Sequence, residues 1–172
     1  MNAFRSSRQS PGYLRRKHEQ KKKVTFSIQI IDARSSNRVR YQIRLGDNVE
    51  EGYLITTRWS CDEYSEQWKT ALTALTQGKV LKCVLITDVQ PEYASFGIMY
   101  WALFRDEQDV IFQERFLRKN PEHLLGSPEI VEPHIPHRVQ GSPEEHALVS
   151  EWSVPLAHIN SFVTLGFRSD HL

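Results

Sequence analysis

The segment 133–137 reads PHIPH, and His134 and His137 within it are the residues best suited to hold a metal ion. His123, His146, Glu132, Glu144 and Glu145 lie nearby in sequence. Zinc takes three or four converging ligands. Here the His-x-x-His spacing falls in proline-rich chain, and no Cys-x-x-Cys accompanies it, so a loop of solvated or hydrogen-bonded imidazoles is the better reading. Nucleophilic catalysis needs a Ser or Cys beside a base, and no Gly-x-Ser-x-Gly is present. Cys61 stands at a predicted helix start, which can depress a thiol pKa, but Asp62, Glu63 and Glu66 around it act in the opposite sense. Gly46, Gly52, Gly78 and Gly97 are isolated, so there is no phosphate-cradling loop. The acid pairs Glu50–Glu51 and Glu144–Glu145 carry nothing that separates acid–base chemistry from surface charge. Trp59, Trp68, Trp101 and Trp152, with Tyr100 and Phe104, could stack bases. Most of them fall on apolar faces, where packing is the simpler role. The chain reads as a non-enzyme with no cofactor and no metal.

The elements that position these residues follow from periodicity. Val24, Phe26, Ile28 and Ile30 alternate with polar residues, as do Val39, Tyr41, Ile43 and Leu45 against Arg40, Gln42 and Arg44. The two runs, 24–31 and 39–45, predict an antiparallel hairpin, with a third strand over 50–59. Ser60 followed by Glu63 is a capping box. Behind it Tyr64, Trp68, Ala71, Leu72 and Leu75 form one apolar stripe, which predicts a helix over 60–77 ended by Gly78. Asp62, Glu63 and Glu66 lie in its first turns, where carboxylates suit the positive end of the helix dipole. Strands are expected at 80–87, 96–104 and 110–117, with RDEQD (105–109) as an acidic turn. The segment 118–146 holds five of the eight prolines and predicts a long irregular loop. A strand over 147–154 and a short helix over 155–163, capped by Ser153, close the chain. The expected class is α+β: a mainly antiparallel sheet of about six strands packed on the 60–77 helix, with a short C-terminal helix.

With 172 residues the chain is long enough for one domain with a real core. No apolar run approaches the roughly 20 residues of a membrane span. The basic N-terminus has no apolar segment behind it, unlike a secretory signal. Cys61 and Cys83 are too few for a disulfide framework and read as reduced thiols of a cytoplasmic protein. The net charge of +1 conceals an asymmetry. Residues 1–23 carry eight Lys/Arg and one acid, leaving 14 bases against 20 acids in the remainder. This divides the chain into a basic, mobile arm (1–23) and an acidic globular domain (24–172). An acidic body suits a basic partner. A nucleic-acid-binding module that uses the arm is the alternative.

The landmarks also come in a distinctive order: EEGYLITTRWSCDEYSEQWKTALTALTQGK, a strand CVLIT, then IMYWALFRDEQDVIFQERFL, a proline-rich loop, and finally VSEWSVPLAHINSF. Over residues 50–163 this resembles the CdiI-like immunity proteins of bacterial contact-dependent growth inhibition systems. SEWSV (150–154) and the Trp59–Trp68–Lys69–Ala71–Leu72 spacing carry most of the likeness. Two features depart from the pattern: the basic arm, and Pro155-Leu156-Ala157-His158 where an acid would open the final helix. The resemblance implies a bacterial cytoplasmic protein that binds a toxin domain, often a nuclease, and blocks its active site. Carboxylates would then stand in for phosphates. The candidate contact groups are Asp62, Glu63 and Glu66 at the helix start, Asp106, Glu107 and Asp109 at the acidic turn, and Glu129, Glu132, Glu144 and Glu145 in the loop.

Overall fold

The computed structural model describes residues 26–32, 37–89, 98–117, 137–139 and 150–165. The N-terminal arm and most of the proline-rich segment, including Glu129, Glu132, His134, Glu144 and Glu145, lie outside these residues. Strands β1 (Phe26–Asp32), β2 (Arg38–Leu45) and β3 (Asn48–Ile55) precede helix α1 (Cys61–Thr76). Strands β4 (Lys82–Val89), β5 (Ile98–Asp106), β6 (Asp109–Leu117) and β7 (Glu151–Pro155) follow, and helix α2 (Leu156–Leu165) completes the described chain. The expected α+β class is found, with the strands divided between two antiparallel sheets ordered β1-β2-β3 and β4-β5-β6-β7 rather than gathered in one. The division follows from α1. It leaves β3, crosses to the second sheet and occupies the edge of β4 that β3 would otherwise have to pair.

That occupation depends on two polar side chains of the helix. The Gln67 amide donates from Nε2 to the Val84 carbonyl at 2.8 Å and accepts from the Ile86 N–H at 3.1 Å. Trp68 Nε1 donates to the Ile86 carbonyl at 2.7 Å. Gln67 is only 1 % exposed. Its amide thus serves as one residue of a missing strand, and the outward backbone groups of an edge strand are satisfied without another strand. Gln113, equally buried, repeats the device. Its amide donates to the Val139 carbonyl and accepts from the Val139 N–H, both at 3.3 Å. Arg138 pins the same segment through two hydrogen bonds to Glu151, at 3.1 and 2.7 Å.

The ends of α1 are built as its sequence suggests. Ser60 Oγ accepts from the Glu63 N–H, and the Glu63 carboxylate accepts from the Ser60 N–H at 2.7 Å. At the other end Gly78 has φ +71°, and the Lys79 N–H reaches back to the Ala74 carbonyl. Arg105 Nη1 donates to the Leu75 carbonyl at 2.9 Å, placing a cation on the negative end of the helix dipole. The last helix differs from expectation. Ser153 is not its cap but a β7 residue opposite Ile111. Pro155 ends the strand, and the Leu156 N–H donates to the Gln108 carbonyl.

The buried faces of both sheets, α1 and α2 share one core. Phe26 joins the sheets and α2, with ring centroids 5.5 Å from Phe112 and 5.3 Å from Phe162. Trp59, Trp68, Trp101 and Tyr100 are buried, and Trp152 and Phe104 pack against the same cluster, so these aromatics build core and not a base-stacking platform. Both cysteines are free thiols. No helix among the described residues is long and apolar enough to cross a membrane.

Candidate interaction surface

The acids singled out from the sequence do not form one patch. Asp62, Glu63 and Glu66 are exposed at the start of α1. Asp106, Glu107 and Asp109 sit beyond Arg105, which caps the far end of the same helix. Along the helix axis, the C-terminal end at Thr76 lies roughly 15 Å from Glu66 and roughly 21 Å from Asp62. Within the first cluster Glu63 is engaged in the capping box, and the Ser60 N–H and hydroxyl hold its carboxyl below the usual range. Glu66 pairs with Lys69 at 3.5 Å. Asp62 stands exposed beside Cys61, whose thiol is pushed up first by burial and then by Asp62. The structure therefore opposes a nucleophilic Cys61.

In the second cluster Asp106 lies 3.6 Å from Arg138. Asp106 and Asp109 close the β5–β6 ladder opposite each other, and Asp109 also pairs with Pro155. Glu107 is exposed at the tip with φ 45°, a left-handed conformation that glycine or asparagine takes more easily. His137 is exposed, and its carbonyl lies 3.5 Å from Arg115 Nη2. Among the described residues no group of three or more His, Cys, Asp or Glu could hold a metal ion.

A different group of residues comes together between the two sheets. A cleft of about 420 Å³ is lined by Arg38, Tyr41, Gly52, Tyr53, Ile55, Thr87, Met99 and Glu114. Glu114 follows Val110 and Phe112 in the alternation of β6, but where those two are buried Glu114 is exposed. Its register partner is Trp101. Desolvation raises its carboxyl pKa, and repulsion from Glu50 raises it further. Glu50 is an exposed residue of β3 opposite Ile43. The sequence held a signal for Glu114, because it is an acid inside the apolar alternation Val110-x-Phe112-x-Glu114-x-Phe116. The neighbouring Glu51 points to the other side of the sheet. Arg40 and Gln42 hydrogen-bond its carboxylate there and hold it below the usual range.

The outer side of the first sheet carries Arg38, Arg40 and Arg44 on alternate residues of β2, together with exposed Val49 and Tyr53. The Arg38 guanidinium lies 4.0 Å from the centre of the Tyr53 ring. The acidic excess of the body is therefore uneven, with this face basic and aromatic.

The family model of the CdiI N-terminal domain matches residues 54–162. The chain belongs to the CdiI family. Comparison with curated protein sequences gives no match. Among solved structures, this CdiI-family chain is similar to a chain of the CdiA-CT/CdiI toxin and immunity complex from Enterobacter cloacae. The TM-score is 0.60 at 21 % identity, over 81 % of this chain and 97 % of that one. At that identity the likeness is one of fold. The matched region begins at Leu54 and takes in Ile55, Thr87, Met99 and Glu114 of the cleft. Arg38, Tyr41, Gly52 and Tyr53 precede it.

Proposed function

We propose that this protein is a cytoplasmic immunity protein. It binds the C-terminal toxin domain of a contact-dependent growth inhibition effector and neutralises it by stoichiometric protein–protein inhibition. The observation that carries the reading is membership of the CdiI family over residues 54–162, joined to the fold it shares with a chain of a toxin–immunity complex. An inhibitor of this kind works by occupying a surface and needs no catalytic group of its own. A nuclease is the target that best suits the acidic excess beyond residue 23, because a basic nucleic-acid cleft attracts carboxylates and is blocked by them. Asp62 and Glu107 are the exposed acids we assign to the contact from the two original clusters. Glu63, Glu66 and Asp106 already have intramolecular partners.

The test is protection in cells. Bacteria expressing the toxin domain encoded beside this protein should survive when the protein is co-expressed and die when it is not. Equal killing with and without the protein, at matched expression, would refute the reading.

A further inference from the structure

The β2–β3 hairpin fixes which backbone groups of β3 are already used. Its two-residue turn, Gly46–Asp47 with Gly46 at φ +69°, makes Leu45 and Asn48 a hydrogen-bonded pair. At the far end the Thr56 N–H donates to the Asn37 carbonyl at 2.9 Å. Bonded and non-bonded pairs alternate along an antiparallel ladder, so Asn48, Glu50, Gly52 and Leu54 turn their N–H and C=O towards β2. Val49, Glu51, Tyr53 and Ile55 turn theirs away from it. β3 ends its sheet, and no described strand meets those groups. The Tyr64 hydroxyl takes one of them, donating to the Ile55 carbonyl at 2.9 Å. No backbone hydrogen bond from a described residue reaches Val49, Glu51 or Tyr53 on that side. The facing strand is treated differently. Helix α1 satisfies the edge of β4 from Val84 to Ile86. A bulge between Ile86 and Asp88 then breaks the register of β4. Thr87, inside that bulge, lines the cleft together with Gly52, Tyr53 and Ile55 of β3, so the open edge borders free space. On the outer side of the sheet Val49 and Tyr53, 40 % and 47 % exposed, stand two residues to either side of Glu51.

We infer that this open edge takes up an extended segment of the partner protein as an added strand, hydrogen-bonded to the outward backbone of Val49, Glu51 and Tyr53. The inference rests on the toxin-binding reading and names a contact that reading leaves open. Alternating N–H and C=O groups at strand spacing are matched by another extended backbone, and an uncovered strand edge is a template for one. Val49 and Tyr53 favour apolar or β-branched residues opposite them. A second copy of this chain fits less well, because pairing centred on Glu50, Glu51 or Gly52 sets like carboxylates opposite or diagonal to each other. The edge also runs up to Tyr64 in the first turn of α1, the helix that carries Asp62.

The experiment follows amide exchange by NMR in the protein alone and bound to the toxin domain encoded beside it. In the free protein the Val49, Glu51 and Tyr53 amides should exchange freely while Gly52 and Leu54 are protected. In the complex those three should slow by about tenfold or more. Calorimetry with two variants reads the same contact. Glu51→Pro removes one outward N–H and leaves the ladder to β2 intact, as proline does at an edge. Glu51→Ala removes the same carboxylate and keeps the N–H. Thermal melts establish that both are folded, and Glu51→Pro should bind the toxin domain about tenfold or more weakly than Glu51→Ala. If the proline variant does not fold, the exchange pattern of the wild type still decides. A complex that forms with exchange at those three amides unchanged overturns the added strand and leaves the immunity reading standing. So does a folded proline variant that binds as tightly as the alanine variant. Protection of the three amides in the protein alone, with a dimer by light scattering, would also overturn the inference, by giving the edge to a second copy. If the wild type does not bind the toxin domain, the immunity reading fails and takes the added strand with it.

Discussion

Replacing Gln67 by glutamate, and separately by alanine, isolates what one buried amide contributes to this fold. The amide joins α1 to β4 by a donated bond of 2.8 Å and an accepted bond of 3.1 Å, at 1 % exposure. In Gln67→Ala the Val84 carbonyl and the Ile86 N–H both lose this partner. Each orphaned buried group costs about 1–3 kcal/mol, so the expected loss is about 3–5 kcal/mol, a large part of the ~5–15 kcal/mol that holds a domain together. Gln67→Glu keeps the shape and changes one donor into an acceptor. The new carboxylate can still accept from Ile86, but its second oxygen then meets the Val84 carbonyl unless it carries a proton. Folding therefore raises the pKa of the new carboxyl above its unfolded value of about 4.3. Between the unfolded and folded pKa values the native state binds the extra proton. Stability accordingly falls as pH rises, by up to about 1.4 kcal/mol for each pH unit crossed, and levels off above the folded pKa. Urea denaturation followed by circular dichroism from pH 4 to 8 reads this directly. The variant should be near wild type at pH 4 and well below it at pH 7. A pH profile parallel to the wild type, or an alanine variant that loses less than about 1 kcal/mol, would refute the strand-substitute reading.

Other consequences are smaller. Ser60→Ala should cost about 1 kcal/mol of stability, since it removes half of the capping box. The Glu63 half has a depressed carboxyl pKa, so its contribution is present above the unfolded carboxylate pKa and is lost as pH falls through the folded value, which acid titration of the melting temperature would show. Gly78→Ala should cost about 1–2 kcal/mol, because φ is +71° and the new Cβ would sit 3.0 Å from Arg105 Nη1. In a double-mutant cycle with Arg105→Ala by chemical denaturation, the two losses should not add. Glu107→Gly should stabilise by some tenths of a kcal/mol or more, read as a raised urea midpoint, because it relieves the left-handed φ of 45°. Cys83 is fully buried, and desolvation pushes its thiol far up. It should resist iodoacetamide at pH 8 until the protein unfolds, with Cys61 reacting slowly.

Local signals in the chain were enough to locate its elements. Alternation marked β1 and β2, the Ser60–Glu63 pair and the Tyr64–Leu75 stripe marked α1, and apolar runs around the acidic turn marked β4 to β6. The partition into two sheets was not legible, because it turns on which edge β4 presents and what covers it. The covering group, Gln67, is a polar residue that reads as surface in a helical pattern. Its burial exists only once Val84 and Ile86 are across from it. Gln113 was hidden for the same reason. The candidate surface shows the same limit. Acid runs such as Asp62–Glu63 and Asp106–Glu107 stand out in a sequence, yet half of those described have intramolecular partners. The open edge of β3 is a matter of its register with β2, which the residues of β3 alone do not state. One hint was present, a glycine opposite a tyrosine, and it does not reveal its use without the register.

A stoichiometric inhibitor silences its toxin by binding it in fixed proportion. Titrating the purified toxin domain encoded beside this protein, at a concentration far above the expected Kd, and measuring residual toxin activity reads that proportion. Toxin activity should fall linearly to zero at one equivalent of protein, with a one-to-one complex by light scattering. Full toxin activity at several equivalents would contradict it.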